Sequence, residues 1–137
     1  MGLVRGRKLE IKTFAALVAL ALAAIGLSAC GGGDDVAGPS PDGTLRFWPD
    51  PSGKLAYTTP EVEVEAGKRK IEFINPRKEL HDLTIDNPQG KKIAQSYALY
   101  VARDSMFLKL KPGEYKFYCS VEGHRKGGME GTLTVVE

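Results

Sequence analysis

Cysteine and histidine are both scarce in this 137-residue chain, at two residues each, and methionine is nearly as rare at three. Two cysteines exclude a disulfide-stapled scaffold. The apolar run Phe14 to Leu27 is shorter than the roughly 20 residues that a membrane-spanning helix needs. Neither charge sign dominates, with nineteen basic and seventeen acidic side chains. No internal repeat is visible.

The N-terminus carries most of what imbalance exists. Arg5, Arg7, Lys8 and Lys12 form a positive region ahead of the apolar stretch, and small residues follow it, the pattern of an export signal. Its end, Leu27-Ser28-Ala29-Cys30, resembles the lipobox of bacterial lipoproteins, which implies cleavage before Cys30 and acylation of that cysteine. Multiple acyl chains convert marginal membrane binding into stable anchoring. Removing residues 1–29 from 137 leaves 108, enough for one domain. The leader holds four of the nineteen basic residues and one of the seventeen acidic ones, so the mature chain carries fifteen positive against sixteen negative, net −1. The apparent basicity belongs to the signal, and a nucleic-acid-binding reading falls with it.

Residues 30–43, with Gly31-Gly32-Gly33, Asp34-Asp35 and Pro39-Ser40-Pro41, lack the apolar content for a core and are expected to form a tether. Residues 44–137 are expected to form one all-β domain. Val62-Glu63-Val64-Glu65, Lys70-Ile71-Glu72-Phe73 and Thr132-Leu133-Thr134-Val135 alternate with period two, and Ala66-Gly67, Asn75-Pro76, Asn87-Pro88, Gln89-Gly90 and Pro112-Gly113 mark turns between strands. Short strands of this kind suggest a sandwich or a barrel. Ile93, Tyr97, Tyr100 and Val101 recur at helical spacing, which predicts a short helix within residues 93–101.

One C-terminal stretch brings a thiolate, an imidazole and a thioether together as Cys119-x4-His124-x4-Met129. With Cys30 acylated, Cys119 is the one remaining thiol, and an unpaired thiol outside the cytoplasm oxidises unless it is buried or metal-bound. Strand parity turns Tyr115, Phe117 and Cys119 to one face, and places His81 on the face of Leu83 and Ile85. Two imidazoles favour Cu(II), whereas thiolate and thioether favour Cu(I). The set His81, Cys119, His124 and Met129 therefore suits a single copper ion in both oxidation states, and Met is a poor donor to zinc.

Tyr118-Cys119-Ser120-Val121-Glu122-Gly123-His124 continuing to Gly128-Met129-Glu130-Gly131-Thr132-Leu133-Thr134-Val135 resembles the C-terminal motif of cupredoxins, the blue copper proteins, with a spacing most similar to auracyanins and halocyanins. Phe73-Ile74-Asn75 and His81-Asp82-Leu83-Thr84-Ile85 resemble the strand and first ligand loop of the same family. The resemblance spans roughly residues 58–137. It implies a Greek-key β-sandwich with one type 1 copper. His81 and His124 would be the imidazole ligands, Cys119 the thiolate and Met129 the axial ligand, with the His124 edge as the electron route.

Many relatives have Asn after the first histidine, where it ties the ligand loops together; here Asp82 stands in that place, with Ser120 as its expected hydroxyl donor. Glu122, Arg125 and Lys126 sit where relatives often present an apolar docking patch. The implied role is a one-electron carrier and not an enzyme. It would be a monomer, lipid-anchored on the extracytoplasmic side, serving a cytochrome, a quinol-oxidising complex, a terminal oxidase or a reaction centre. The alternative is a copper chaperone feeding an oxidase, although such proteins commonly expose Met-rich or His-rich tracts. A dinuclear copper site would need a second loop cysteine, and multicopper oxidases need further histidines.

Overall fold

The computed structural model describes residues 38–137, together with Gly2. The signal peptide expected over 1–29, the acylation at Cys30 and most of the expected tether lie outside the described residues.

Among the described residues, nine strands make two sheets. β1 (Gly38–Pro39), β2 (Leu45–Phe47), β4 (Gly67–Asn75) and β7 (Ala102–Leu110) form one in the order β1-β2-β4-β7. β3 (Glu61–Glu65), β5 (Thr84–Asp86), β6 (Lys92–Gln95), β8 (Gly113–Tyr118) and β9 (Glu130–Val136) form the other in the order β3-β9-β8-β5-β6. β2 runs parallel to β4 and β3 parallel to β9, while the remaining pairs are antiparallel. The end of the expected tether thus joins the domain: Gly38 and Pro39 pair with Arg46 and Leu45, and Ser40 closes a turn onto Thr44.

The period-two pattern explains why the sheets stack. In β3 the valines are buried and the glutamates exposed, and in β8 Tyr115 and Phe117 are buried between exposed Glu114 and Lys116. Leu45, Phe47, Ile71 and Phe73 of one sheet meet Val62, Val64, Ile85, Tyr115, Phe117, Leu133 and Val135 of the other in a single core. Phe117 lies at its centre, edge-on to Phe47 at 4.9 Å and to Tyr57 at 5.2 Å between ring centroids. Burial of a phenylalanine contributes about 1.5–3 kcal/mol, and each aromatic pair about 0.5–1.5 kcal/mol more. Glu72 is the exception to the alternation. It is buried in β4, but Arg46 at 3.0 Å and Lys70 at 2.5 Å neutralise it.

The helix expected within 93–101 is not formed, and no helix occurs among the described residues. Lys92–Gln95 is strand β6, and an irregular segment follows. The physical reason is that the supposed apolar stripe has nothing to cover: Ile93, Tyr97, Tyr100 and Val101 are 39, 78, 61 and 63% exposed. Val101 adopts a left-handed backbone (φ 41°). Leu99 instead exchanges backbone hydrogen bonds with His81, fastening this segment to the first candidate ligand.

Gly131, at the start of β9, allows the closest approach in the sandwich, since a Cβ there would overlap both the Phe117 ring and the Pro60 carbonyl oxygen. The carbonyl cannot retreat, because it accepts a hydrogen bond from the Thr132 amide at 2.7 Å. Gly131→Ala is therefore expected to destabilise the domain by about 1–3 kcal/mol. Urea denaturation followed by Trp48 fluorescence measures this, and an unchanged midpoint would contradict the packing described.

Candidate metal centre

The candidate ligands converge at one end of the sandwich. Donor atoms of His81, Cys119 and His124 lie within 4.8 Å of one another. Cys119 Sγ stands 3.5 Å from His124 Nδ1, and the two imidazole centroids are 5.0 Å apart. His81, Cys119 and Met129 are buried, while His124 is partly exposed.

Each residue reaches this place for a local reason. Cys119 continues the inward parity of Tyr115 and Phe117 one step beyond β8. Met129 stands immediately before β9, and the loop between them is closed by its own main chain. The Cys119 amide donates to the Met129 carbonyl at 3.0 Å, the Met129 amide to the His124 carbonyl at 3.0 Å, and the His124 amide to the Val121 carbonyl at 3.0 Å. The turn also needs a residue with φ +108° at position 128, which glycine supplies without strain. Three candidate ligands are thus joined by backbone bonds.

His81 lies in the connection from β4 to β5, the strand that neighbours β8 in its sheet. Buried Asn75, at the end of β4, donates to the carbonyls of Glu79 at 2.8 Å and Leu99 at 2.7 Å, and accepts from the Arg77 amide at 2.9 Å. This fastens the loop leading into His81 and the segment bridged to it. His81 Nδ1 and Thr84 Oγ1 are the buried side-chain polar atoms without a hydrogen-bond partner among the described residues. A buried imidazole nitrogen left free beside a thiol and a second imidazole is the electronic arrangement of a ligand, and the donor set fits a copper ion.

Asp82 joins the two ligand segments. Its carboxylate accepts from the Ser120 amide at 2.6 Å and from the Ser120 hydroxyl. The pair expected from sequence is therefore in contact. A third member, Gln95 of β6, was not anticipated: its amide donates to Asp82 at 3.0 Å and to Ser120 Oγ at 2.9 Å. Gln95 lies in the segment read as helical, so strand periodicity was not applied there. Tyr57 also donates its hydroxyl to the Asp82 carbonyl at 2.7 Å.

Electrostatics favour the neutral forms of Cys119 and His81. Burial pushes the Cys119 thiol up to about 11. Burial first, and then the charge of neighbouring His124, hold His81 below its ordinary imidazole value. A metal here must displace the thiol proton but meets an imidazole already free of its own.

The raised thiol value makes a metal-free stability prediction. Its folded value lies above its ordinary one of about 9, so the folded state retains the proton more tightly; that stabilisation is complete below pH 9 and disappears as the pH rises through about 11. Chemical denaturation of the metal-free chain should show a loss on the order of 2 kcal/mol across that interval that Cys119→Ser lacks. Parallel curves for the two proteins would contradict a buried, proton-retaining thiol.

A family model for copper binding proteins of the plastocyanin/azurin family matches residues 49–136. No curated protein matches the chain. Among solved structures, a dithionite-reduced auracyanin from the photosynthetic bacterium Roseiflexus castenholzii is 24% identical, with a TM-score of 0.61 over 69% of this chain and 97% of that one. Auracyanin A of Chloroflexus aurantiacus, described as a "blue" copper protein, is 21% identical, with a TM-score of 0.59 over 68% and 98%. Rusticyanin of Thiobacillus ferrooxidans is 18% identical, with a TM-score of 0.57 over 68% and 77%. These likenesses establish the cupredoxin fold. With the family match over most of the domain and the His-Cys-His cluster at its end, the chain belongs to the plastocyanin/azurin family of copper-binding proteins, and its cofactor is one copper ion.

Proposed function

We propose that this protein is a membrane-tethered one-electron carrier whose copper would be held by His81, Cys119 and His124, with Met129 as a weaker fourth donor. The observation that carries this reading is the convergence of three donor atoms within 4.8 Å on loops already closed by backbone hydrogen bonds. Copper supplies a one-electron couple when bound. The chain's part is to keep the donor geometry nearly the same in both oxidation states, so that little must rearrange when the charge changes.

Burial favours a carrier over a chaperone. Cys119 and Met129 are fully buried and His81 is 4% exposed, so the ligands of an acceptor protein have no open side from which to displace them. His124, partly exposed on the turn, offers an edge through which an electron can leave while the ion stays in place. The only methionines besides Met129 are Met1 and Met106, which leaves no Met-rich tract for ion hand-over.

Around His124 the surface is charged but partly self-engaged. Arg125 pairs with Glu130 at 2.9 Å and lies 3.8 Å above the Tyr118 ring, while Glu122 and Lys126 are exposed. Glu122 and Lys126 remain available to steer a redox partner such as a cytochrome, a quinol-oxidising complex, a terminal oxidase or a reaction centre. Steering of this kind weakens as salt rises. The signal pattern of residues 1–29 and an acylated Cys30 would keep the domain on the extracytoplasmic side.

Cycling the copper-loaded protein between oxidised and reduced states beside a strong Cu(I) chelator tests the proposal. Full retention of copper over many rapid, reversible cycles is expected. Transfer of copper to the chelator at the first reduction would identify a chaperone instead.

A further inference from the structure

The net charge of the mature chain is close to zero, yet its charges are sorted by sheet. Glu61, Glu63 and Glu65 stand exposed on β3, in the sheet that holds the Cys119 strand. Cations gather in the other sheet, at the end remote from the metal centre. Lys70 pairs across β4 and β7 with Phe107, and Lys68 with Lys109, so these four side chains share the face turned away from the core. With Arg69 and Leu108 they line a shallow surface depression.

Two features of this face lack a structural explanation within the domain. Phe107 is 77% exposed in the middle of a regular strand. Lys68 and Lys109 are exposed and form no ion pair among the described residues, and the Arg69 guanidinium is bonded only to backbone carbonyls of Glu65 and Lys68. Lys70 is different, since Glu72 at 2.5 Å neutralises it. The result is one exposed aromatic ring beside two uncompensated cations, Lys68 and Lys109, with Arg69 turned by strand parity to the other face, a combination that fits an apolar layer beneath an anionic one.

We infer that this face of β4 and β7 rests on anionic lipid headgroups, with Phe107 inserted below them and Lys68 and Lys109 at their level. The inference rests on the membrane-tethered reading above. Seven residues lie between Cys30 and Gly38, so the eight peptide steps span at most about 29 Å when extended. Gly38 begins β1, at the opposite edge of the same four-stranded sheet, about 14 Å from β7 at three strand spacings. An acylated Cys30 therefore lies within reach of the surface that would carry this face. The Lys68–Lys109 pair also lies seven residues, about 23 Å, from the Asn75–Ala102 end of the sheet, where Asn75 fastens the loop bearing His81. Contact with lipid would thus leave His124 free to meet a redox partner.

A Phe107→Trp variant of the intact chain reports the contact directly, because the native Trp48 is only 7% exposed. Vesicles of neutral phosphatidylcholine and vesicles containing phosphatidylglycerol, both with brominated acyl chains, serve as probes. Emission from the new tryptophan is expected to shift to the blue and be quenched on the anionic vesicles alone. Adding Lys68→Glu and Lys109→Glu should weaken this by about 25-fold or more, since each cation at an anionic surface contributes about fivefold. Equal quenching on both vesicles, quenching that survives the charge reversal, or no quenching on anionic vesicles would each overturn the inference, the last leaving the face to a protein partner. Flotation with the neutral vesicles reads the lipid anchor separately, so a chain that fails to float there but is quenched on the anionic ones refutes the tether and keeps the lipid-binding face.

Discussion

The metal centre depends above all on the Asp82 carboxylate, which binds the amide and hydroxyl of Ser120 and so joins the segment of His81 to the segment of Cys119. The two candidate ligands are 38 residues apart in sequence and leave different loops. Without a link between their neighbours, each loop could relax independently, and a nitrogen and a sulfur left close together in a dry site would have reason to separate. Gln95 and Tyr57 add hydrogen bonds to the same residue, so that β6 and the segment before β3 also hold Asp82 in place. Such outer bonds orient ligands and tune a metal as much as the ligands themselves do.

Core packing and site geometry are continuous. Phe117 touches Phe47 and Tyr57, approaches Gly131 closely, and stands two residues before Cys119 on the same face of the chain. Any shift of β8 against β9 would move Cys119 relative to Met129, which its own amide binds. The hydrophobic core therefore does more than stabilise the domain, because it sets the depth at which the sulfur lies and keeps that sulfur from water. Burial of this kind also shields the Cys119 thiol from oxidants in solvent.

Much of this architecture was legible in the sequence wherever a residue obeys a simple period. Alternation in Val62–Glu65, Tyr115–Cys119 and Leu133–Val135 follows from having one face in the core, and it turned the ligand strand inward as expected. Period reasoning failed where side chains face solvent on all sides. Ile93, Tyr97, Tyr100 and Val101 matched a helical stripe by chance, and that assignment concealed Gln95, whose role lies in pairing across strands and not in its own segment. The role of Asn75 was equally invisible, because its bonds to Glu79 and Leu99 exist only once the loop has folded back. Asp82 and Ser120 were accessible only by family resemblance, since spacing alone does not say that residues 38 apart will meet.

One copper ion held by a thiolate and two imidazoles, as proposed, would have a direct spectroscopic consequence. Paramagnetic resonance and visible absorption of the copper-loaded protein therefore test the account most directly. Strong covalency between copper and the Cys119 sulfur predicts an intense blue band and a narrow hyperfine splitting. A pale protein with the wide splitting of a tetragonal nitrogen and oxygen site would contradict it.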